Sequence, residues 1–81
     1  MKVIVENPLN VNCSPITISL YVNMLNKIVQ CNDEKELREV MKFIFMNYPV
    51  TFKSFFDYGF GRNYMRVRER ESCKPILLVE F

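Results

Sequence analysis

A segment near the C-terminal end holds the residue types with the clearest binding chemistry. Residues 55–71, which read FFDYGFGRNYMRVRERE, contain five aromatic rings and four arginines in seventeen positions. If Tyr64 to Glu71 is a strand, its side chains alternate between two faces. One face then carries Tyr64, Arg66, Arg68 and Arg70, and the other carries Met65, Val67, Glu69 and Glu71. Neighbours on one face lie roughly 6.5 to 7 Å apart, which suits a row of phosphates or carboxylates, so the pattern predicts a surface for an anionic partner.

The turn before this strand extends the same predicted surface. Asp57 to Asn63 contains both glycines of the chain, and we expect them at turn positions with positive φ. Six rings fall within residues 52–64, more than so small a domain can bury, so some of them should stay exposed. The predicted partner-binding residues are Tyr58, Phe60, Arg62, Tyr64, Arg66, Arg68 and Arg70. The simpler alternative is that the arginines lie on an outer face exposed to solvent and bind no partner, while Phe60 or Tyr64 packs in the core.

Within that turn, Gly59-Phe60-Gly61 resembles the core of the RNA-recognition-motif signature, in which a Gly-aromatic-Gly run precedes stacking rings. Tyr58 stands where that signature has a basic residue, and Arg62 stands where it has a ring. The order of strands and helices predicted for this chain also differs from that module. The resemblance therefore assigns no family.

Few residues are suited to catalysis or metal binding. The chain has no histidine, the side chain most used for acid–base work and for metal ligation. Its cysteines, Cys13, Cys31 and Cys73, lack the spacing of a ligand pair and have no histidine base. Glu69 and Glu71 share a strand face, but a general-acid carboxylate needs a cleft to raise its pKa. Since two glycines also make no phosphate-binding loop, we predict a non-catalytic protein without metal or cofactor.

Length and composition predict one small globular domain spanning residues 1–81. Apolar residues make up 49% of the chain and charged residues 25%, which is the balance of a folded protein. A formal charge of +2 is below the excess that marks a nucleic-acid binder by charge alone. The short N-terminal apolar run and the odd number of cysteines favour a cytoplasmic protein with reduced thiols. The absence of alanine beside eight asparagines is typical of AT-rich coding sequences and suggests a phage or mobile-element origin.

Local patterns predict the element order β-α-α-β-β-β. Strands are expected at residues 2–6, 50–56, 64–71 and 76–81. Asn10 to Cys13 should be a connector, after which Ser14 and Pro15 begin a helix that runs to Val29, although residues 16–24 also alternate as a strand would. Its predicted apolar stripe is Ile18, Tyr21, Val22, Leu25, Ile28 and Val29. A second helix should begin at the capping box of Asp33 and Glu36 and end at Pro49.

These elements predict an α+β fold in which two antiparallel helices pack on one face of a small antiparallel sheet. The apolar stripe of the second helix is Leu37, Val40, Met41, Ile44, Phe45 and Tyr48. The most apolar strand segments, residues 3–5 and 76–79, should be interior neighbours, and the arginine strand should lie nearer an edge.

Three functions fit this sequence. The first is a non-catalytic protein-binding module or inhibitor that uses the arginine and aromatic surface at residues 55–70. The alternative is a small protein that binds RNA or single-stranded DNA with the same residues, the arginines on phosphates and the rings on bases. The third is a homodimer formed through a strand edge or through the spare apolar surface at Phe43 and Met46. No membrane partner is expected.

Overall fold

The computed structural model describes residues 1–9, 14–48 and 50–81, and within them it contains three helices and one antiparallel sheet. The elements are β1 (Lys2–Val5), α1 (Pro15–Val29), α2 (Glu34–Asn47), α3 (Val50–Phe55), β2 (Phe56–Phe60), β3 (Tyr64–Glu69) and β4 (Pro75–Glu80). The strand order is β1-β4-β3-β2. The two long helices pack on one face of this sheet, which confirms the predicted α+β fold. The predicted connector at Asn10 to Cys13 and the stop at Pro49 lie outside the described residues.

Helix α1 begins at the predicted cap. The hydroxyl of Ser14 accepts a hydrogen bond from the backbone N–H of Thr17 at 3.2 Å, and Pro15 occupies the first turn, where its missing N–H costs nothing. The face that enters the core is rotated from the predicted stripe, because Ile18 and Val22 are exposed. The buried residues of α1 are Thr17, Tyr21, Met24 and Ile28. Apolar residues occur all round this helix, so the sequence pattern alone did not determine which side faces inward.

Helix α2 follows the prediction closely. The Asp33 carboxylate accepts from the N–H of Glu36 at 2.9 Å, while the Glu36 carboxylate accepts from the N–H of Asn32 at 3.1 Å. Glu34 and Arg38 form an ion pair of 2.7 Å one turn apart. The residues of its predicted stripe are all buried or half-buried: Leu37, Val40, Met41, Ile44, Phe45 and Tyr48.

The predicted strand at residues 50–56 is wrong, since Val50–Phe55 is the short helix α3 and Phe56 opens β2. Residues 50–53, which read VTFK, alternate between apolar and polar types as in a strand. Tyr48, Phe52 and Phe56, however, are four residues apart, which is helical spacing. Their rings pack together, with centroids 5.1 Å apart for Tyr48 and Phe52 and 4.9 Å apart for Phe52 and Phe56. Packing of the buried Phe52 therefore outweighed the local β pattern.

The order of the strands corrects two further predictions. Strands β1 and β4 are neighbours, as predicted, but β1 lies at an edge and the arginine strand β3 lies inside the sheet. In β3 the buried Met65 and Val67 alternate with Arg66 and Arg68, a pattern that a central strand also shows when only one of its faces is covered. A bulge between Val67 and Arg68 leaves Ile76 as an extra residue of β4, so that Ile76 and Leu77 are both fully buried.

Candidate binding surface on the open face of the sheet

The sheet has a covered face, against the helices, and an open face on its other side. Strand β3 divides its side chains between them as the alternation predicted: Met65, Val67 and Glu69 are buried, while Tyr64, Arg66 and Arg68 are not. The pairing of the strands places these residues on the open face: Lys2, Ile4, Asp57, Gly59, Tyr64, Arg66, Arg68, Leu78 and Glu80.

Two of the predicted rings lie on the covered face, apart from the arginines. The segment that was expected to be a turn is mostly strand β2, in which Tyr58 pairs with Val67 and Phe60 pairs with Met65. Tyr58 packs on the ring of Phe45 with centroids 4.6 Å apart. The guanidinium of Arg38 lies 4.1 Å from the centroid of Phe60. Because the predicted turn is a strand, alternation sends these rings to the opposite side from Arg66 and Arg68, and the prediction of one shared surface is wrong.

Arg70 also leaves the predicted row, because β3 ends before it and the chain turns. Its N–H donates to the carbonyl of Phe55 at 2.8 Å, and its Nε donates to the carbonyl of Lys53 at 2.9 Å. Its Nη2 lies 3.6 Å from a carboxylate oxygen of Asp57, an exposed pair. Arg70 therefore connects α3 and β2 and does not extend the open face.

Neither glycine has the positive φ that was predicted for them. Gly61 instead makes room for the ring of Tyr64, since a Cβ on Gly61 would collide with that ring. The Gly61 N–H donates to the carbonyl of Tyr64 at 2.8 Å and closes the hairpin. The Tyr64 ring also lies 5.5 Å from the guanidinium carbon of Arg66, within range of a cation–π contact. Tyr64 is thus an exposed ring that packs on Gly61 and lies near Arg66.

Arg66 is oriented by a residue that sequence reasoning missed. Its Nε donates to one carboxylate oxygen of Glu6 at 2.9 Å, and its Nη2 donates to the other at 3.2 Å. Both side chains are less than a third exposed, so solvent screens the pair only in part. Glu6 lies sixty positions away along the chain, and no local pattern links residues at that separation.

The other two arginines of the predicted surface are exposed, and neither has a hydrogen-bond or ion-pair partner in the part of the chain that the structure describes. Arg68 lies on β3 directly across from Asp57, and Arg62 lies in the loop between β2 and β3. The Asp57 carboxylate is occupied elsewhere, because it accepts from the N–H of Tyr58 at 2.9 Å and lies near Arg70. Both guanidiniums are therefore available to an incoming anion.

A cavity of about 290 Å³ opens on this face, and we call it the glycine cavity because Gly59 forms part of its lining. A Cβ placed on Gly59 would meet nothing within 4 Å, so the missing side chain leaves open space in the middle of the sheet. The lining residues are Asp57, Tyr58, Gly59, Phe60, Gly61, Tyr64, Arg66 and Arg68. The cavity therefore brings together the exposed ring of Tyr64 with Arg66 and Arg68, three of the predicted partner-binding residues.

The charge of the open face is mixed. Its basic residues are Lys2, Arg66 and Arg68, and the acidic residues on or beside it are Glu6, Asp57 and Glu80. Lys2 lies opposite Glu80, and Arg66 is paired with Glu6, so the positive charge that is left unpaired among these residues gathers near Arg68 and the glycine cavity. This distribution can attract one or two anionic groups but does not form a long positive track.

A second depression lies on the helical side, between the end of α1 and the middle of α2, with a volume of about 410 Å³. Its lining includes Cys31 and the exposed ring of Phe43. Burial raises the pKa of the Cys31 thiol, and the nearby carboxylates of Glu36 and Asp33 raise it further. A thiol with a raised pKa is a weak nucleophile near neutral pH, so this depression is poorly suited to cysteine chemistry.

Fold and site together define a class: a small α+β domain with helices on one side of its sheet and, on the other, a charged face that none of the described helices covers. A family model described as "Domain of unknown function (DUF8466)" matches residues 1–80, and the chain belongs to that family. No curated protein and no solved structure matches the chain. Among the helices in residues 14–48 and 50–81, none is long and apolar enough to cross a membrane.

Proposed function

We propose that this protein is a non-catalytic protein-binding module that works as an inhibitor or adaptor by docking an acidic segment of its partner on the open face. The observation that carries the proposal is the exposed Arg68, which has no partner among the described residues, beside Arg66, which Glu6 holds in place. The Arg68 guanidinium can bind a carboxylate bidentately without first breaking an internal contact.

The mixed charge of the open face favours a protein over a nucleic acid as the partner. A nucleic-acid surface needs several unpaired cations in a row, whereas here Arg66 is already paired and Glu80 and Asp57 lie beside the row. One exposed ring, Tyr64, fits the centre of a protein interface, where a single aromatic anchor supplies much of the binding energy.

Site-specific cross-linking tests this proposal with a matched control. A photoreactive phenylalanine analogue replaces Tyr64 on the open face in one variant and Phe43 on α2 in the other; both native rings are exposed. In cells that produce the protein, we expect a nuclease-resistant cross-link to an acidic protein segment from position 64, and its loss on adding Arg68→Glu. Cross-links from position 43 alone, or from position 64 that persist with Arg68→Glu, would refute the proposal.

Binding of RNA or single-stranded DNA is the alternative, with Arg62 and Arg68 on phosphates and Tyr64 on a base. Two phosphate contacts would weaken binding by roughly 1.4 log units for each tenfold rise in salt, since each contact contributes about 0.7. We expect no electrophoretic shift of random single-stranded oligonucleotides even at low salt. A shift with that salt dependence would replace the protein partner with a nucleic acid.

The remaining parts of the proposal are a cytoplasmic location, a phage or mobile-element origin and a homodimer. Support for a dimer comes from the side chains of Phe43 and Met46, which are 55% and 68% exposed on α2. Light scattering across a dilution series measures the mass directly, and a constant monomer mass would exclude the dimer.

A further inference from the structure

We infer that the glycine cavity is a subsite for one carboxylate side chain of the partner, an inference that rests on the function proposed above. Gly59 is the central observation. It lies within a strand, where glycine is unfavourable, and it has an ordinary negative φ that any residue could adopt. Neither backbone geometry nor crowding therefore requires glycine here, and its missing side chain leaves the space above it open.

The groups around that space are suited to an anion. Arg66 lies directly across from Gly59 on β3, and Arg68 follows on the same face, roughly 6.5 to 7 Å along the strand. The ring of Tyr64 closes another side and is held by its contact with Gly61. A carboxylate above Gly59 would accept hydrogen bonds from the guanidinium of Arg68, since that of Arg66 turns toward Glu6. The methylene groups of its side chain would contact the Tyr64 ring.

The local charge favours a singly charged carboxylate over a doubly charged phosphate. Glu6 occupies the Nε and Nη2 side of Arg66, which leaves Arg68 as the main donor to a ligand. Asp57 lies at the rim and would repel a second negative charge. Glu6 neutralises Arg66 and Asp57 lies near Arg70, so Arg68 carries the one positive charge left unpaired among these residues, and it suits a single small anion held by directed hydrogen bonds.

The test fills the cavity without changing any charge. Gly59→Val places a side chain in the open space and suits a strand, so the fold should persist, which the amide spectrum of the variant verifies. The probe is a short capped oligoglutamate peptide, titrated while the amide NMR signals of the protein are followed. We expect shifts at Gly59, Gly61 and Arg68, and a loss of about tenfold or more in affinity for Gly59→Val, because two charge-assisted hydrogen bonds are blocked.

Controls separate this inference from the function on which it rests. Leu78→Val, on the same face but outside the cavity lining, should leave affinity unchanged. An oligoglutamine peptide of the same length should not bind, and inorganic phosphate should bind more weakly than acetate. If the oligoglutamate peptide shifts open-face signals equally in wild type and Gly59→Val, the subsite is refuted while the binding face stands. If no open-face signal moves with the acidic peptide, the proposed function fails as well.

Discussion

The covered and open faces of this sheet are made by the same strands but are stabilised in different ways. On the covered face, the fully buried Phe52 packs against Phe45, Tyr48 and Phe56, with ring centroids 4.9 to 5.5 Å apart. On the open face, the main contact between distant residues is the ion pair of Glu6 and Arg66. Burial of rings should therefore supply most of the folding free energy, while the open face is left to present charge.

This division lets binding residues change without loss of the fold. Arg68 and Tyr64 are exposed and lie outside the hydrophobic core, so selection on a partner can act on them separately from selection on stability. Three substitutions test this difference between the covered and open faces, and each is paired with a second substitution for comparison.

The largest expected effect is that of Phe52→Ala. Removing a fully buried ring should lower the free energy of unfolding by about 3 to 5 kcal/mol, a large share of what a domain of this size has. Urea denaturation followed by circular dichroism measures the change, with Arg68→Ala as the open-face counterpart, expected to stay within about 0.5 kcal/mol. Equal losses of unfolding free energy in Phe52→Ala and Arg68→Ala would show that the covered and open faces contribute equally to stability.

A smaller effect is expected from Glu6→Gln, which keeps the shape of the side chain and removes its charge. The amide oxygen of glutamine can keep one hydrogen bond from Arg66, but its NH2 group is a donor and cannot accept the other. We expect a loss of about 1 kcal/mol, because the pair is only partly screened by solvent. Urea denaturation again measures the free energy of unfolding. The control is Glu34→Gln, which removes the charge from the exposed helical pair with Arg38 and should lower that free energy by about 0.3 kcal/mol. An unchanged midpoint for Glu6→Gln would mean that Arg66 is not fixed by this contact.

The smallest effect is expected from Gly61→Ala. The added methyl group would displace the exposed ring of Tyr64, at a cost of no more than about 1 kcal/mol because that ring can rotate into solvent. In the wild-type protein the ring current should shift the Gly61 Hα signals upfield, and Tyr64→Leu, which removes the ring, should abolish that shift. Gly61 Hα signals at ordinary positions in the wild type would contradict the contact.

Sequence reasoning succeeded where a local signal was decisive. The caps at Ser14 and Asp33 began both long helices at the right residues, and alternation assigned Tyr64, Arg66 and Arg68 to one face. These signals depend on neighbours a few positions apart, which a single sequence contains in full.

It failed where the outcome depended on contacts between distant segments. Residues 50–55 form a helix and not the predicted strand, because Phe52 packs among rings from α2 and β2. Gly59 and Gly61 predict a turn because glycine is rare inside strands, but Gly59 lies within β2. The prediction of a turn therefore put Tyr58 and Phe60 on the same surface as the arginines, whereas both rings lie on the covered face of the sheet. The pairing of Arg66 with Glu6 had no local signal at all.

One contact in β2 affects what can pair with the outer edge of this strand. The hydrogen bonds that Gly61 and Phe55 make toward β3 alternate along the strand, so the N–H of Tyr58 points away from β3, toward the outer edge. The Asp57 carboxylate already holds that N–H. A further chain that paired with this edge at Tyr58 would meet an occupied donor and a negative charge, which disfavours extension of the sheet at that position.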